Sequence, residues 1–238
     1  MRRLYIPLVI IGNMLMAQSP KEHLSGFVMS SVTYKHNPQW SAYLELQARS
    51  IEEFSKFDYY EIKGGLGYQL NSKNQVLLGV GRYGTYRESK IFQKELRVWA
   101  QYILSHNLAS LKIDHRIRLE KRFYTFPQSS THDQDERFRY RCLLTLPLGK
   151  DKLAPKTFFV NAYDEVFLTL EDPVFRRNRV FGGVGYLFNQ SVNVNLGYLW
   201  QREFSLNGNR NLHFLYMGLN FSIDRMKTHD FYPTHPAD

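Results

Sequence analysis

The sequence has little of several features that define other classes of protein. Its 238 residues include a single cysteine, Cys142, which excludes an intramolecular disulfide and a multi-cysteine zinc site. Proline is scarce, with 9 residues, whereas 15% of the residues are aromatic, and this composition excludes a disordered chain. No interior run reaches the roughly 18 apolar residues of a membrane helix, so a helical membrane bundle is excluded as well. The length is that of one domain.

The first 18 residues have the pattern of a secretory signal peptide. Arg2 and Arg3 precede an apolar run from Leu4 to Leu15, and the small residue Ala17 suits the position before a cleavage site. A buried first helix is the alternative, which is weaker because the run opens the chain and carries its charge on the N-terminal side. We therefore predict that residues 1–18 are removed and that the mature chain is exported.

Beyond residue 25 the pattern has the two-residue period of β-strands rather than the period of a helix. The clearest example begins at Leu111, where Leu, Ile, His, Ile and Leu alternate with Lys, Asp, Arg, Arg and Glu as far as Glu120. The prolines lie between such segments or at their ends, where no ladder hydrogen bond is lost. Eleven strands are predicted, at about 25–35, 39–50, 57–70, 74–86, 91–104, 108–123, 135–147, 156–170, 176–189, 191–204 and 210–223.

These segments are longer than the strands of a soluble β-sandwich, which have about 5 to 6 residues. Tilted strands of about 9 to 11 residues are what a bilayer requires, so the sequence predicts an all-β protein, an antiparallel transmembrane β-barrel of about 10–12 strands over residues 19–223. A polar tail, 224–238, follows. Short turns such as 105–107 are expected to alternate with longer polar loops such as 126–135. Since bacterial barrels normally have an even number of strands, ten or twelve is favoured over eleven.

Outward-facing aromatic residues are expected to form a girdle at each edge of such a barrel. One girdle would comprise Trp40, Tyr68, Tyr102, Tyr186 and Phe188, and the other Tyr60, Phe138, Tyr198 and Trp200.

The opposite face of each strand would line the lumen, and it is rich in charge. Twelve basic residues are predicted to face seven acidic ones there. Such side chains either pair with one another and fill the lumen, which is the favoured interpretation, or line a narrow pore that attracts small anionic solutes. The lumen charge network is predicted to comprise Glu95, Arg97, Arg116, Arg118, Glu120, Arg122, Arg137, Arg139, Arg141, Glu165 and Arg179.

Short motifs in this region resemble a known family. They are Glu95-Leu96-Arg97, Arg116 to Arg122, Arg137 to Arg141, Glu165-Val166-Phe167, Asn178-Arg179 and Gly197-Tyr198. In this order they resemble the uncharacterised family called domain of unknown function 2490, and the likeness covers nearly the whole mature chain. The resemblance implies an outer-membrane β-barrel of a Gram-negative bacterium and no established activity. Leu96 and Lys121 depart from the family pattern, and both lie on the face predicted to point outward.

Other kinds of site are weakly indicated. A lipid-modifying esterase or phospholipase, the alternative function, would need a serine beside a histidine at the membrane boundary, and Ser105-His106-Asn107 is better interpreted as a turn. No cofactor and no metal site is predicted, although His132 with Asp133 and Asp135, and His229 with Asp230 and His235, contain ligand residue types. The predicted location is the outer membrane, with its lipid and lipopolysaccharide as partners and without nucleic acid. No partner protein is indicated.

Overall fold

The computed structural model describes residues 24–51, 54–206 and 208–225, and these form one closed β-barrel. The predicted signal peptide and most of the predicted polar tail lie outside the described residues. The eleven strands of the described residues are β1 (Leu24–Lys35), β2 (Trp40–Ile51), β3 (Lys56–Gln69), β4 (Asn74–Arg87), β5 (Lys90–Leu108), β6 (Leu111–Phe126), β7 (Thr131–Pro147), β8 (Thr157–Thr169), β9 (Phe175–Leu187), β10 (Val192–Glu203) and β11 (Arg210–Asp224). The prediction of an all-β barrel is confirmed.

Strands adjacent in sequence are antiparallel neighbours all the way around the barrel, and β1 closes it against β11. That last pair is parallel, with Leu24 opposite His213 and Lys35 opposite Asp224. The expectation of an even strand number is therefore wrong, and so is that of a purely antiparallel sheet. With an odd number the first and last strands run in the same direction, and a parallel ladder still satisfies their backbone groups.

The connections divide between two rims. We call the rim that carries the β1–β2, β3–β4, β5–β6, β7–β8 and β9–β10 connections the lower rim, and the opposite one the upper rim. The expected alternation of short turns with longer loops is wrong, because β6 and β7 extend towards each other and leave only residues 127–130 between them. The longest connection with every residue described, 148–156, lies on the lower rim, and residues 105–107 belong to β5.

The two faces of each strand differ as the alternation predicts. Outward-facing apolar side chains remain exposed, for example Leu78 at 68%, Leu66 at 61% and Leu196 at 54%. Inward-facing charged side chains are buried, for example Glu165 at 0% and Arg139 at 1%. This is the inverse of a soluble protein, whose apolar face is the buried one. The described residues contain no helix of a length and apolarity suited to crossing a membrane.

Candidate functional site: the barrel lumen

The charged residues singled out in the sequence lie on one continuous stretch of the inner wall, from β5 to β9. The pairing of β6 with β7 sets Arg116 opposite Arg141 and Arg118 opposite Arg139, so rows of guanidinium groups stand side by side. These residues, Glu95 to Arg179 as named above, are buried except for Arg122, which is half-buried. Like charges this close require carboxylates between them.

Glu120 is the first of the two carboxylates that hold these rows together. Its Oε2 accepts hydrogen bonds from Arg137, with Nε at 2.7 Å and Nη2 at 2.5 Å, and its Oε1 lies 2.9 Å from Arg139 Nη1. Arg97 and Arg118 stand slightly farther away, with their Nη1 atoms 3.6 and 3.7 Å from the same Oε1. One carboxylate thus faces four guanidinium groups.

Glu165 on β8 is the second. Its Oε1 accepts hydrogen bonds from Arg116 Nη2 at 2.5 Å and from Arg139 Nε at 2.9 Å. Arg139 Nη2 also lies 2.8 Å from that oxygen, and Arg139 Nη1 contacts Glu120. A single guanidinium group therefore bridges Glu165 and Glu120. The bridge ties the neighbouring strands β6, β7 and β8 together on the inner wall, with charge-assisted hydrogen bonds in a site almost closed to water.

The network continues towards the upper rim through Glu95 and Arg122. Glu95 Oε1 accepts hydrogen bonds from Arg97 Nε at 2.7 Å and from Arg122 Nε at 2.9 Å. Arg122 also donates to Asp135, which in turn accepts a hydrogen bond from the Tyr124 hydroxyl group at 3.0 Å. Asp135 was not among the predicted network residues, although its position two residues before Arg137 places it on the same face.

A second charged cluster, centred on Lys63 of β3, lies on another part of the wall. Its Nζ is 2.9 Å from Glu45 and 2.7 Å from Glu61, and all three side chains are fully buried. Tyr43 and Tyr59 donate hydrogen bonds to these two carboxylates. The sequence places these acids on the inner face but does not indicate that they share one lysine, because that contact depends on the register of β2 against β3.

Aromatic rings separate many of the guanidinium groups. Phe167, 1% exposed, has four of them around its ring, with the Cζ atoms of Arg139, Arg179, Arg137 and Arg177 at 4.5, 5.1, 5.2 and 5.4 Å from the ring centroid. Arg118 lies over Trp99 in the same way, at 4.7 Å. The ring faces offer these cations electron density where no further carboxylate is available.

An apolar layer completes the interior, and sequence reasoning did not find it. Inward-facing side chains of β1 and of β7 to β11 meet in the lumen and exclude water; they are Phe27, Met29, Leu143, Tyr163, Phe181, Leu199, Phe214 and Tyr216. The signal that could have found it is apolar character on both faces of one strand, as in Phe214-Leu215-Tyr216-Met217. Across the described residues, the interior therefore holds buried ion pairs on β2 and β3 and on β5 to β9, together with buried rings and aliphatic side chains on β1 and β7 to β11.

The other candidate sites in the sequence are a serine beside a histidine and two groups of possible metal ligands. The Ser105 hydroxyl group points into the barrel and donates to Asp114, whereas His106 and His115 stack against each other on the outer face, with ring centroids 5.3 Å apart. Serine and histidine are thus on opposite sides of the wall. Within 24–51, 54–206 and 208–225 no cluster of His, Cys, Asp and Glu is suited to a metal ion, and residues 229–235 lie outside the described residues.

Comparisons with solved structures, with curated proteins and with family models place this chain beside known proteins. A solved structure described as "NanC porin structure in rhombohedral crystal form" aligns over 79% of this chain and 92% of its own, at 12% sequence identity and a TM-score of 0.49. A search of curated proteins finds no match. The family model described as "Protein of unknown function (DUF2490)" matches residues 25–212, which is most of the barrel. The chain therefore belongs to the DUF2490 family.

Proposed function

We propose that this protein is an outer-membrane β-barrel whose lumen is closed by its own side chains, and that it serves as a structural barrel without conductance. The observation that carries the proposal is the filled lumen, in which Phe27, Leu199 and Glu165 are each 0% exposed. A water-filled channel would leave the side chains of its wall accessible.

The membrane part of the proposal rests on the outer surface. Apolar side chains cover most of it from the lower rim for about ten residues along the strands, as in Leu96, Val98 and Ala100 of β5. A patch of this size far exceeds what a soluble monomer exposes and matches the apolar band of a transmembrane barrel. Aromatic pairs sit at its lower edge, for example Trp40 with Tyr68 at 4.9 Å between ring centroids.

Export to the outer membrane is supported by the N-terminal sequence, with Arg2 and Arg3 ahead of the apolar run. A closed barrel is also the form in which a sheet can lie in lipid without exposing unpaired backbone groups.

Planar-bilayer recording on the refolded mature chain tests the closed lumen. We expect no stepwise openings, because the side chains of the apolar layer and of the arginine network are buried inside the barrel. Anion-selective openings that decrease in the Arg139→Glu variant would overturn the proposal in favour of the narrow anion pore, towards which the basic excess of the lumen points.

Solubility tests the membrane location separately. We expect the mature chain to require detergent or lipid, and to migrate differently on gels before and after heating. A folded monomer in plain buffer would contradict the proposal.

The alternative of a lipid-modifying enzyme predicts hydrolysis of phospholipid in detergent. We expect none, since Ser105 is turned inward, away from the outer histidines. Hydrolysis by the purified protein that is lost in the His115→Ala variant would favour the enzyme instead.

A further inference from the structure

The two edges of the apolar band differ in charge. Towards the upper rim the band ends at outward-facing basic residues, which we call the basic collar; it comprises Arg82, Lys94, Lys121, Arg176 and Arg202. At the lower edge the corresponding outward positions are aromatic or aliphatic, such as Trp40, Phe158 and Phe188. Lys73, Lys150 and Lys152 lie there in the connections between strands. Only the upper edge presents cations directly beside the apolar surface.

The collar residues form two groups of neighbours. In the register of β4 against β5, Arg82 faces Leu96 and Lys94 faces Gly84, so Arg82 and Lys94 are diagonal neighbours on the outer face. Lys121 follows on β6, opposite Val98. On the other side of the barrel, Arg202 faces Asn178, two residues from Arg176.

Most side chains of the collar form no ion pair with another described residue. Lys121 pairs with Glu136 on the outer surface, whereas Arg82, Lys94, Arg176 and Arg202 have no ion pair with a described residue. Aromatic rings accompany them: Lys121 lies 5.9 Å from the centroid of the exposed Phe123 ring, and Arg202 lies 5.4 Å from that of the half-buried Phe204. A ligand at the collar would therefore meet cations and apolar surface together.

The distance from the lower rim to the collar can be compared with the height of the apolar band of a membrane barrel. Lys121 lies ten residues after Leu111, and Arg202 lies ten residues after Val192. At about 3.3 Å per residue and a tilt of about 40°, ten residues rise about 25 Å, the height of the apolar band of an outer-membrane barrel. Lys121 and Arg202 thus lie at the height where the acyl chains end and the headgroups begin. Arg82, Arg176 and Lys94 lie eight, eleven and fourteen residues from the lower ends of their strands.

We propose that the basic collar binds the phosphate groups of lipopolysaccharide, and that the upper rim accordingly faces the outside of the cell. This inference rests on the proposed outer-membrane location. Lipopolysaccharide carries phosphates immediately above its acyl chains, so one molecule would place apolar chains on the band and anionic groups at the arginine and lysine ends. Guanidinium groups bind phosphate through two parallel hydrogen bonds, and each cation at an anionic lipid surface adds to affinity.

Binding of purified lipopolysaccharide to the refolded barrel in detergent tests this inference. The collar variant is Arg82→Gln with Lys94→Gln and Arg202→Gln, and the matched control removes three charges from the lower rim, as Lys73→Gln with Lys150→Gln and Lys152→Gln. We expect the control to bind like the wild type and the collar variant to bind about 100-fold more weakly, since each of the three cations contributes about fivefold.

Two further arms identify the source of the phosphate. Enzymatic removal of the lipid A phosphates should weaken wild-type binding as much as the collar substitutions do. Vesicles of phosphatidylglycerol should not discriminate between the two variants. Discrimination with phosphatidylglycerol but not with lipopolysaccharide would overturn the inference and place the collar at an inner-leaflet headgroup.

Insertion into lipid vesicles, measured on the same preparations, separates the two proposals. A barrel that inserts normally but binds lipopolysaccharide equally in all variants would refute the collar inference alone. Failure of the wild type to insert would refute the membrane location itself.

Discussion

Arg139 binds Glu165 through two nitrogens, with Nε at 2.9 Å and Nη2 at 2.8 Å from Oε1, while its Nη1 contacts Glu120. The residue therefore joins the two carboxylates that neutralise the arginine rows of the lumen. Because the side chain is 1% exposed, its removal would leave Glu165 and Glu120 as buried carboxylates with fewer partners.

Replacement of this bridge should cost stability. In the Arg139→Met variant we expect the free energy of unfolding in detergent to fall by about 3 kcal/mol, since Glu165 and Glu120 each lose a buried partner. Urea titration followed by tryptophan fluorescence measures the loss. Lys121→Met is the control, because it removes one exposed ion pair and should cost less than about 1 kcal/mol. Equal losses would show that the lumen network contributes no more than a surface pair.

Close packing of a ring on a glycine predicts a second effect. A Cβ at Gly79 would lie 2.1 Å from Cζ2 of Trp99 and 2.5 Å from the carbonyl oxygen of Gly64. We expect Gly79→Ala to destabilise the barrel by about 1 to 3 kcal/mol, because the ring must move within a filled lumen. At Gly182 a Cβ would meet nothing within 4 Å, so Gly182→Ala is the matched control and should be nearly neutral. A neutral Gly79→Ala variant would mean that the lumen has room for the ring to shift.

An outward-facing carboxylate interrupts the apolar band. Asp164 is exposed at the middle of β8 and accepts a hydrogen bond from Asn178 Nδ2 at 2.5 Å. In lipid vesicles we expect Asp164→Leu to raise the free energy of unfolding by about 1 kcal/mol, because a charged group near the bilayer centre is unfavourable. Glu136→Leu, which loses the pair with Lys121 near the collar, should give no gain. A loss of stability in Asp164→Leu would indicate that a polar partner, rather than lipid, covers this face.

Labelling of single cysteines on the two rims tests which rim of the barrel faces the outside of the cell. In a Cys142→Ser background, we expect Gln128→Cys on the upper rim to react with a membrane-impermeant maleimide in intact cells. Lys150→Cys on the lower rim should react only after the outer membrane is opened. The background variant without an added cysteine shows the unspecific signal. Labelling of Lys150→Cys alone in intact cells would reverse the orientation inferred from the collar.

The outward and inward faces were predictable because each side chain's direction follows from the two-residue period alone. Leu111 to Glu120 shows this, since Arg116, Arg118 and Glu120 are buried as the alternation predicts. Strand ends were less predictable. Polar residues such as Thr131 and His132 extend β7 beyond the apolar band and pair with Phe126 and Thr125, which shortens the expected loop.

Side-chain contacts between neighbouring strands on the inner wall were not predictable from the sequence. Phe27 and Phe214 come from the two ends of the chain, and they meet because β1 pairs with β11. The bridge from Arg139 to Glu120 and Glu165 likewise depends on the registers of three strands. The prediction of an even strand number was wrong for another reason. An even number is usual among known bacterial barrels, but the backbone requires only that the first and last strands form a hydrogen-bonded ladder.

The parallel closing pair also restricts how the protein can be engineered. Leu24 lies at the upper rim and Asp224 at the lower, so a peptide joining the ends of the barrel would have to cover its full height. The filled lumen blocks the inner route, and the apolar outer wall is unfavourable for a polar linker. Circular permutation with a short linker should therefore fail for this barrel, whereas tags fused at its two ends would be displayed on opposite sides.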